Sequence, residues 1–572
     1  MRRRHTLRLL RIVAAALCLL AVSAAFLDFR DAIPASFKHA ATSIQFLPSA
    51  IALASGAVLS LACIAVLGIT LIAGRVYCST ICPLGVLQDV VARIVKKLRR
   101  KKPKLLPHRP AYNKIRYGIL ALVIVAVLTG WGGFALAWLD PYSHFGRFTG
   151  TLFRPLVIGA NNLAAPVAQH FGSNALPHVA LPWTGIGVFL PVAVIFSAVV
   201  LMSAWRGRLW CNTVCPVGAL LGIFSRKALF RLTIDRSACV RCGDCLRTCK
   251  AQCIDLRKQE IDFSRCVGCF DCVSVCDENG LNYRWLGRPP KAGGLEFGVQ
   301  SSEFSKTEPK KNSDPPPPPG SPSRTLSSKP ETPNSTAQSP ARRAFLATLA
   351  TGTVALVSVR AGKDDSPDNI PASGNAHAAD TGSIPRRQTV APPGAQSIDR
   401  FVARCTACQL CVSACPSHVL EPAVFGYGSL EGIMKPRLNF DRSFCNINCT
   451  TCGGVCPDHA LLPLALGEKQ RTRIGVAEVT RSRCIVITDD TACGACAEHC
   501  PTAALQMKQR GARHAEPVVD ERYCIGCGAC QFACPALPKK AVIVRGLATH
   551  ETAEVLVQEK AVAPAGSDDF AF

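Results

Sequence analysis

Six times along this 572-residue chain, four cysteines fall within 11 to 17 residues, and that spacing limits the fold more than any other feature. CVRCGDCLRTCK supplies Cys239, Cys242, Cys245 and Cys249, and CVGCFDCVSVCD supplies Cys266, Cys269, Cys272 and Cys276. CTACQLCVSACP supplies Cys405, Cys408, Cys411 and Cys415, and CNINCTTCGGVCP supplies Cys445, Cys449, Cys452 and Cys456, with one extra residue in its first gap. Cys484 is followed after a longer gap by CGACAEHCP, with Cys493, Cys496 and Cys500, and CIGCGACQFACP ends the series with Cys524, Cys527, Cys530 and Cys534. In C-x2-C-x2-C-x3-C, three thiolates on short loops cap three irons of a cubane, and the fourth, carried away by the start of a helix, reaches the partner cluster. Six [4Fe-4S] clusters with crossed fourth ligands are therefore expected. Cys276 joins Cys239, Cys242 and Cys245; Cys249 joins Cys266, Cys269 and Cys272; Cys456 joins Cys405, Cys408 and Cys411. Likewise Cys415 joins Cys445, Cys449 and Cys452; Cys534 joins Cys484, Cys493 and Cys496; and Cys500 joins Cys524, Cys527 and Cys530.

Two runs depart from the common spacing. The long gap after Cys484 leaves a three-iron centre open there, and Lys250 and Asp277 replace the usual Pro in the first pair. Zinc also takes four thiolates, but its sites seldom show this spacing with crossed fourth ligands. Of the 31 cysteines, seven remain. Cys18 and Cys63 lie in apolar stretches and read as packing residues, and Cys253 has no evident role.

Stretches of about 20 mostly apolar residues at 9 to 29, 49 to 74, 115 to 139 and 181 to 205 are each long enough to cross a bilayer. The net charge of +26 fits membrane topology better than nucleic acid, because its dense runs flank these stretches: Arg2, Arg3, Arg4 and Arg8 before the first, and Lys96, Lys97, Arg99, Arg100, Lys101, Lys102 and Lys104 after the second. That pattern puts both ends of a four-span unit in the cytoplasm and residues 140 to 180 in the periplasm, with Trp131, Trp138 and Trp183 as interfacial anchors. A cleaved signal is the other reading of the first stretch. GRVYCSTICPLGVLQD from Gly74 and GRLWCNTVCPVGALLG from Gly207 repeat each other, so the unit is two repeats of two spans. Cys78 with Cys82, and Cys211 with Cys215, then lie at equivalent cytoplasmic ends. They read as redox or metal thiols able to share one further centre, as two reducible dithiols, or as structural thiols.

After the first cysteine pair, residues 287 to 340 are rich in Pro, Ser and Lys and read as a linker. The segment at 341 to 362, which opens with ARRAFLATLATGTVALVSVRA, resembles a twin-arginine export signal, and a spacer follows to 397. No C-x-x-C-H run, dinucleotide fingerprint, phosphate loop or H-E-x-x-H occurs, so the chain moves electrons rather than transforming a large substrate. His144, His170 and His178 either take a quinol proton or are simply solvated.

Residues 1 to 286 resemble the NapH/MauN family of membrane ferredoxin-type proteins, and about 341 to 545 resembles the NapG/MauM family of exported ferredoxin-type proteins. The resemblance implies quinol oxidation at the membrane, with electrons passed to a periplasmic oxidoreductase. The expected fold is multidomain: a four-span α-helical membrane domain at 1 to 230, a cytoplasmic two-cluster bacterial-ferredoxin-like α+β domain at 231 to 286, a four-cluster polyferredoxin α+β domain at 398 to 545 in the periplasm, and a polar tail at 546 to 572. The expected location is a bacterial inner membrane. The expected partners are membrane lipid, the quinone pool and an unidentified periplasmic redox protein, without nucleic acid. The activity is that of a quinol dehydrogenase or an electron-transfer component without a substrate-transforming site of its own; an accessory role in maturing a periplasmic enzyme, or a redox sensor, are the alternatives.

Overall fold

A computed structural model describes residues 2–54, 61–98, 112–173, 176–181, 185–285, 389–424, 426–428, 430–509 and 514–555. The linker, the twin-arginine-like segment, most of the following spacer, Arg99 to Lys104 and Trp183 lie outside the described residues.

Two helices contain 22-residue apolar segments, Thr6–Leu27 and Gly185–Arg206, long enough to cross a membrane. At 1.5 Å per residue each such segment runs about 33 Å. They correspond to the first and fourth apolar stretches. The second stretch is described as two shorter helices, Phe46–Ala54 and Ala62–Ala73. The third is not one continuous helix, as its hydropathy suggested, but Asn113–Leu128 followed by Gly132–Leu139. The break has a local cause: Gly130 adopts φ +83°, a left-handed conformation that ends a helix. Gly133 then lets the second piece meet the C-terminal region, since a Cβ there would stand 2.5 Å from the Ala403 carbonyl oxygen.

Residues 141 to 170, within the segment expected on the periplasmic side, are helical. Asp140 caps Pro141–Phe148 by accepting from the Ser143 amide and hydroxyl, both at 2.7 Å. A π-helical turn, Thr149–Phe153, leads into Arg154–His170.

The repeated sequence folds the same way twice. Gly74 and Gly207, at φ +81° and +66°, stop the preceding helices. Short helices Tyr77–Thr80 and Leu209–Thr213 carry the first cysteine of each pair, and Pro83–Leu98 and Pro216–Ser225 start immediately after the second. Packing is exchanged between repeats: Gly185–Arg206 lies against Pro83–Leu98, and Ala62–Ala73 against Pro216–Ser225.

The first ferredoxin region pairs strands Phe230–Ile234 and Leu281–Trp285 antiparallel around an inner hairpin, Ile254–Asp255 with Glu260–Ile261. The last two cysteine runs repeat that layout, with Thr472–Val479 paired to Val542–Thr552 outside and Leu505–Lys508 paired to Glu516–Val519 inside. Between the third and fourth runs, Leu420–Pro422 pairs with Pro436–Leu438. The C-terminal domain is longer than its expected span of 398 to 545. The Val390 carbonyl accepts from the Leu438 amide, and the strand continues through Thr552, so what reads as polar tail is in part the exposed end of a paired strand.

Helix Arg2–Leu27 ties the molecule together. Near its start, Arg8 pairs with Asp271 of the first ferredoxin region at 3.0 Å, while Phe26 near its end packs at Gly146 beside the Cys408 carbonyl. Those two residues are 18 apart, about 27 Å along a helix. The two ferredoxin regions therefore contact opposite ends of a membrane-length helix. The helical bundle and the C-terminal domain share one apolar core, running through Phe26, Tyr142, Phe148, Trp210, Phe401 and Leu410; the first ferredoxin region has its own around Leu232, Ile254, Phe263 and Phe270.

Candidate metal centres

The crossed thiol sets come together in space. Cys239, Cys242, Cys245 and Cys276 line one cavity, and Cys500, Cys524, Cys527 and Cys530 another. A third is lined by Cys484, Cys493, Cys496 and Cys534, so the long gap after Cys484 still returns that thiol to its set. For the other three sets the electrostatic neighbours give the grouping. Burial raises the Cys272 thiol, and Cys269, Cys249 and Cys266 add to the rise. Burial raises Cys411, with Cys405, Cys408 and Cys456 adding, and raises Cys452, with Cys445, Cys415 and Cys449 adding.

The backbone explains how short loops present three thiols to one body. In four runs the residues just before and just after the second cysteine have positive φ: Arg241 and Gly243, Gly268 and Phe270, Ala407 and Gln409, Gly526 and Gly528. Such paired left-handed turns curl the chain around a common centre. The two runs of altered spacing lack them at Asn448, Thr450 and Gly494. Amides also point at sulfur: Ala407 donates to Cys405 Sγ and Leu461 to Cys456 Sγ, both at 3.4 Å. Among the described residues, no three His, Cys, Asp or Glu side chains converge tightly enough for a single metal ion. Thiols standing around cavities suit a polynuclear iron-sulfur cluster rather than zinc. When bound, such clusters supply one-electron redox chemistry, and the protein contributes burial and hydrogen bonds to sulfur that set their potentials.

Cys253, without an evident role in the sequence, is buried with its Sγ 3.7 Å from Cys249 Sγ. Its i, i+4 spacing from Cys249 was the available signal. Cys63 is buried and Cys18 partly so.

Cys78, Cys82, Cys211 and Cys215 are all buried at the junction of the two repeats, and Cys82 has the other three as electrostatic neighbours. Around them lie buried polar groups that the sequence reading did not single out. The Arg75 guanidinium reaches Cys78 Sγ at 3.8 Å, the Cys211 carbonyl at 3.4 Å, Asn212 Oδ1 at 2.9 Å and the Ser264 carbonyl at 3.0 Å. Arg208 donates to the Cys78 carbonyl and, through Nε, to Asp89 at 2.8 Å. Gln88 donates to Cys211 Sγ at 3.2 Å and the Gly218 amide to Cys215 Sγ at 3.3 Å. The signal was the Gly-Arg that opens both repeats.

Beside the C-terminal domain, His144 is not solvated as a loop histidine would be: it is 1% exposed, with Nε2 2.9 Å from the Trp138 carbonyl. Burial, then Arg147, pulls its pKa down to about 3, so it stays neutral at physiological pH. Its ring stacks on Phe148 and meets Trp210 edge-on at 5.7 Å. Arg147 lies over the Trp138 ring at 5.8 Å. His170 and His178 are exposed.

A 4Fe-4S binding domain model matches residues 55–102 and 188–235, and a 4Fe-4S dicluster domain model matches 491–537. The ferredoxin-type protein NapH of Escherichia coli is 30% identical over 205 residues, 36% of this chain and 55% of that protein. The methylamine utilization ferredoxin-type protein MauN of Paracoccus denitrificans is 28% identical over 182 residues, 31% of this chain and 49% of MauN. The ferredoxin-type protein NapF of Haemophilus influenzae is 31% identical over 146 residues, 26% of this chain and 74% of NapF. The chain thus spans about half the length of the NapH and MauN relatives it matches. No solved structure matches it. With its thiol sets, its 4Fe-4S domains and these relatives, the chain belongs to the ferredoxin-type iron-sulfur proteins, its N-terminal region matching NapH and MauN.

Proposed function

We propose that this iron-sulfur electron-transfer protein carries electrons across the bacterial inner membrane, from quinol or a cytoplasmic donor to a periplasmic oxidoreductase. The observation that carries this reading is the placement of ferredoxin regions at both ends of one membrane-length helix. The first ferredoxin region holds two [4Fe-4S] clusters on the cytoplasmic side, ligated by the crossed sets Cys239, Cys242, Cys245, Cys276 and Cys266, Cys269, Cys272, Cys249. The C-terminal domain holds four on the periplasmic side, on its own crossed sets, and the twin-arginine-like segment exports it folded with its clusters in place. Four spans anchor the chain, and a separate oxidoreductase completes the reaction.

Electron flow needs no proton at the clusters themselves, whereas quinol oxidation releases two protons and two electrons. Exposed His170 and His178 stand where such protons can leave, while buried His144 does not.

The test is anaerobic. The detergent-solubilised chain is assayed for iron and sulfide, then mixed with a quinol analogue while cluster EPR is followed. At least about 24 irons per chain and reduction by quinol are expected. Full iron content without reduction by quinol would reject quinol as donor and favour an accessory role fed by a low-potential protein, a reading to which the MauN likeness lends support.

A further inference from the structure

We propose that Cys78, Cys82, Cys211 and Cys215 together hold a seventh iron-sulfur centre, which relays electrons between the two ferredoxin regions; this rests on the electron-transfer reading above.

The charge around these thiols is the first argument. Arg75 and Arg208 are fully buried, and each reaches across the junction to the other repeat's first cysteine carbonyl. Arg208 has a carboxylate partner in Asp89, but among the described residues Arg75 has none, and its Nε lacks a hydrogen-bond partner. Burying a guanidinium without a counter-charge is costly. Four neutral thiols offset none of that cost, whereas a cluster carried by four thiolates is anionic and does. Gln88 and the Gly218 amide point their N–H groups at sulfur in the same junction. Hydrogen bonds of this kind stabilise metal-bound thiolates.

The sequence match is the second argument. The two stretches matched by the 4Fe-4S binding domain model, 55–102 and 188–235, contain none of the 24 run cysteines. Their cysteines are Cys63, Cys78 and Cys82 in one and Cys211 and Cys215 in the other. Cys63 lies in helix Ala62–Ala73, away from the pattern shared by the two stretches.

Position makes the centre a relay. On one side, Arg75 bonds the Ser264 carbonyl and Val76 packs under Gly268, both in the loop that carries Cys266 and Cys269. On the other, Trp210 adjoins Cys211 and meets the His144 ring. The helix of His144 continues to Gly146, which packs against the Cys408 carbonyl, and to Arg147, whose electrostatic neighbours include Cys408 and Cys405. Packed protein thus runs unbroken from the first ferredoxin's second thiol set to the third run. Each transfer along it oxidises one centre and reduces the next by one electron, consuming no proton, atom or co-reactant.

The experiment uses the full chain in detergent, anaerobically, as wild type and as the double variant Cys78→Ser, Cys211→Ser. Iron and acid-labile sulfide are counted, and the C-terminal clusters are followed by EPR after mixing with a soluble low-potential reductant. Wild type is expected to hold about 28 irons and the variant about 24, with electrons reaching its C-terminal clusters at least tenfold more slowly. About 24 irons in both proteins, with the four thiols alkylated in unfolded wild type, would overturn the proposal, as would zinc in place of the extra iron. If the double variant cannot be purified, Arg75→Gln decides. Iron kept at about 28, with one cluster signal moved to lower potential by the lost positive charge, supports the proposal, and no moved signal overturns it. Wild type with about 28 irons but no reduction by quinol would instead reject the quinol reading and leave the seventh centre standing.

Discussion

The two repeats share Gly-Arg, C-x3-C-P and the Gly that follows, and differ at several matching positions, most sharply where the first has Gln88 and Asp89 and the second Leu221 and Gly222. Asp89 is buried and gathers three cations: Arg208 through Nε at 2.8 Å, Arg11, and Lys250 at 3.4 Å. Gly222 does the reverse, clearing space for a cation; a Cβ there would stand 1.7 Å from Arg116 Nη2. That guanidinium donates to carbonyls instead, those of Gly218 and Ser264, both at 2.9 Å, and its Nε, like that of Arg75, has no hydrogen-bond partner. The thiol junction is thus nearly two-fold, while the shell outside it is not. The asymmetry faces the first ferredoxin region, a single body that a symmetric frame can seat only by differing between its halves. Lys250 and Ser264 both belong to that region, and each is held from both sides: Lys250 by Asp89 and the Arg208 amide, Ser264 by Arg75 and Arg116.

The largest effect is expected at the carboxylate. Asp89→Ala strands buried cations, and loss of one partner of a buried pair typically costs about 3–5 kcal/mol. Thermal unfolding in detergent should register a fall that large, together with loosening of the first ferredoxin region. A small change would mean that the two halves are equivalent after all. Gly222→Ala tests the other half: crowding Arg116 should cost about 1–3 kcal/mol, less than the carboxylate because a side chain can shift. A cost equal to or above that of Asp89→Ala would reverse the ranking.

Acid separates the two ends of the bundle. The cations hold the Asp89 carboxyl well below its usual range despite its burial. Its contribution is therefore present above the ordinary carboxylate pKa of about 4 and is lost only as pH falls below that range. For His144 the folded value of about 3 lies below the ordinary 6.5, so its contribution is full above 6.5 and fades as pH falls from there toward 3. Stability should therefore begin to drop near pH 6 in wild type, and His144→Gln should blunt that drop. An unchanged pH profile in the variant would contradict the burial of a neutral imidazole. The smallest effect is expected from Arg8→Ala. Its ion pair with Asp271 is partly exposed, and such pairs are worth about 1 kcal/mol or less. A larger loss would show that this contact seats the ferredoxin region as firmly as Asp89 does.

Cysteine spacing made the thiol sets legible, including the crossed fourth member, because both are local consequences of short loops entering helices. Even Cys484 returned to its set across its long gap. Long-range compensation was not legible. Nothing near Arg75 or Arg116 in the sequence tells that their partners are carbonyls at Ser264. Hydropathy carried the third apolar stretch straight through Thr129 to Trp131, since averaging over a membrane length hides one glycine in a left-handed turn. The burial of the helix at 141 to 148 is not legible because its buried face mixes His144 and Arg147 with aromatics, a composition that resembles a surface until its partners in the C-terminal domain are present. The strand end after residue 545 looks polar because it is exposed, although its backbone is paired as far as Thr552.

In the proposed function, electrons cross the membrane within this one chain. The direct measurement places the intact protein in quinone-free vesicles, with ferricyanide trapped inside and a membrane-impermeant reductant outside, facing the first ferredoxin region. The trapped ferricyanide is expected to be reduced without added quinone. Reduction of the outer clusters while the ferricyanide stays oxidised would contradict the proposed function.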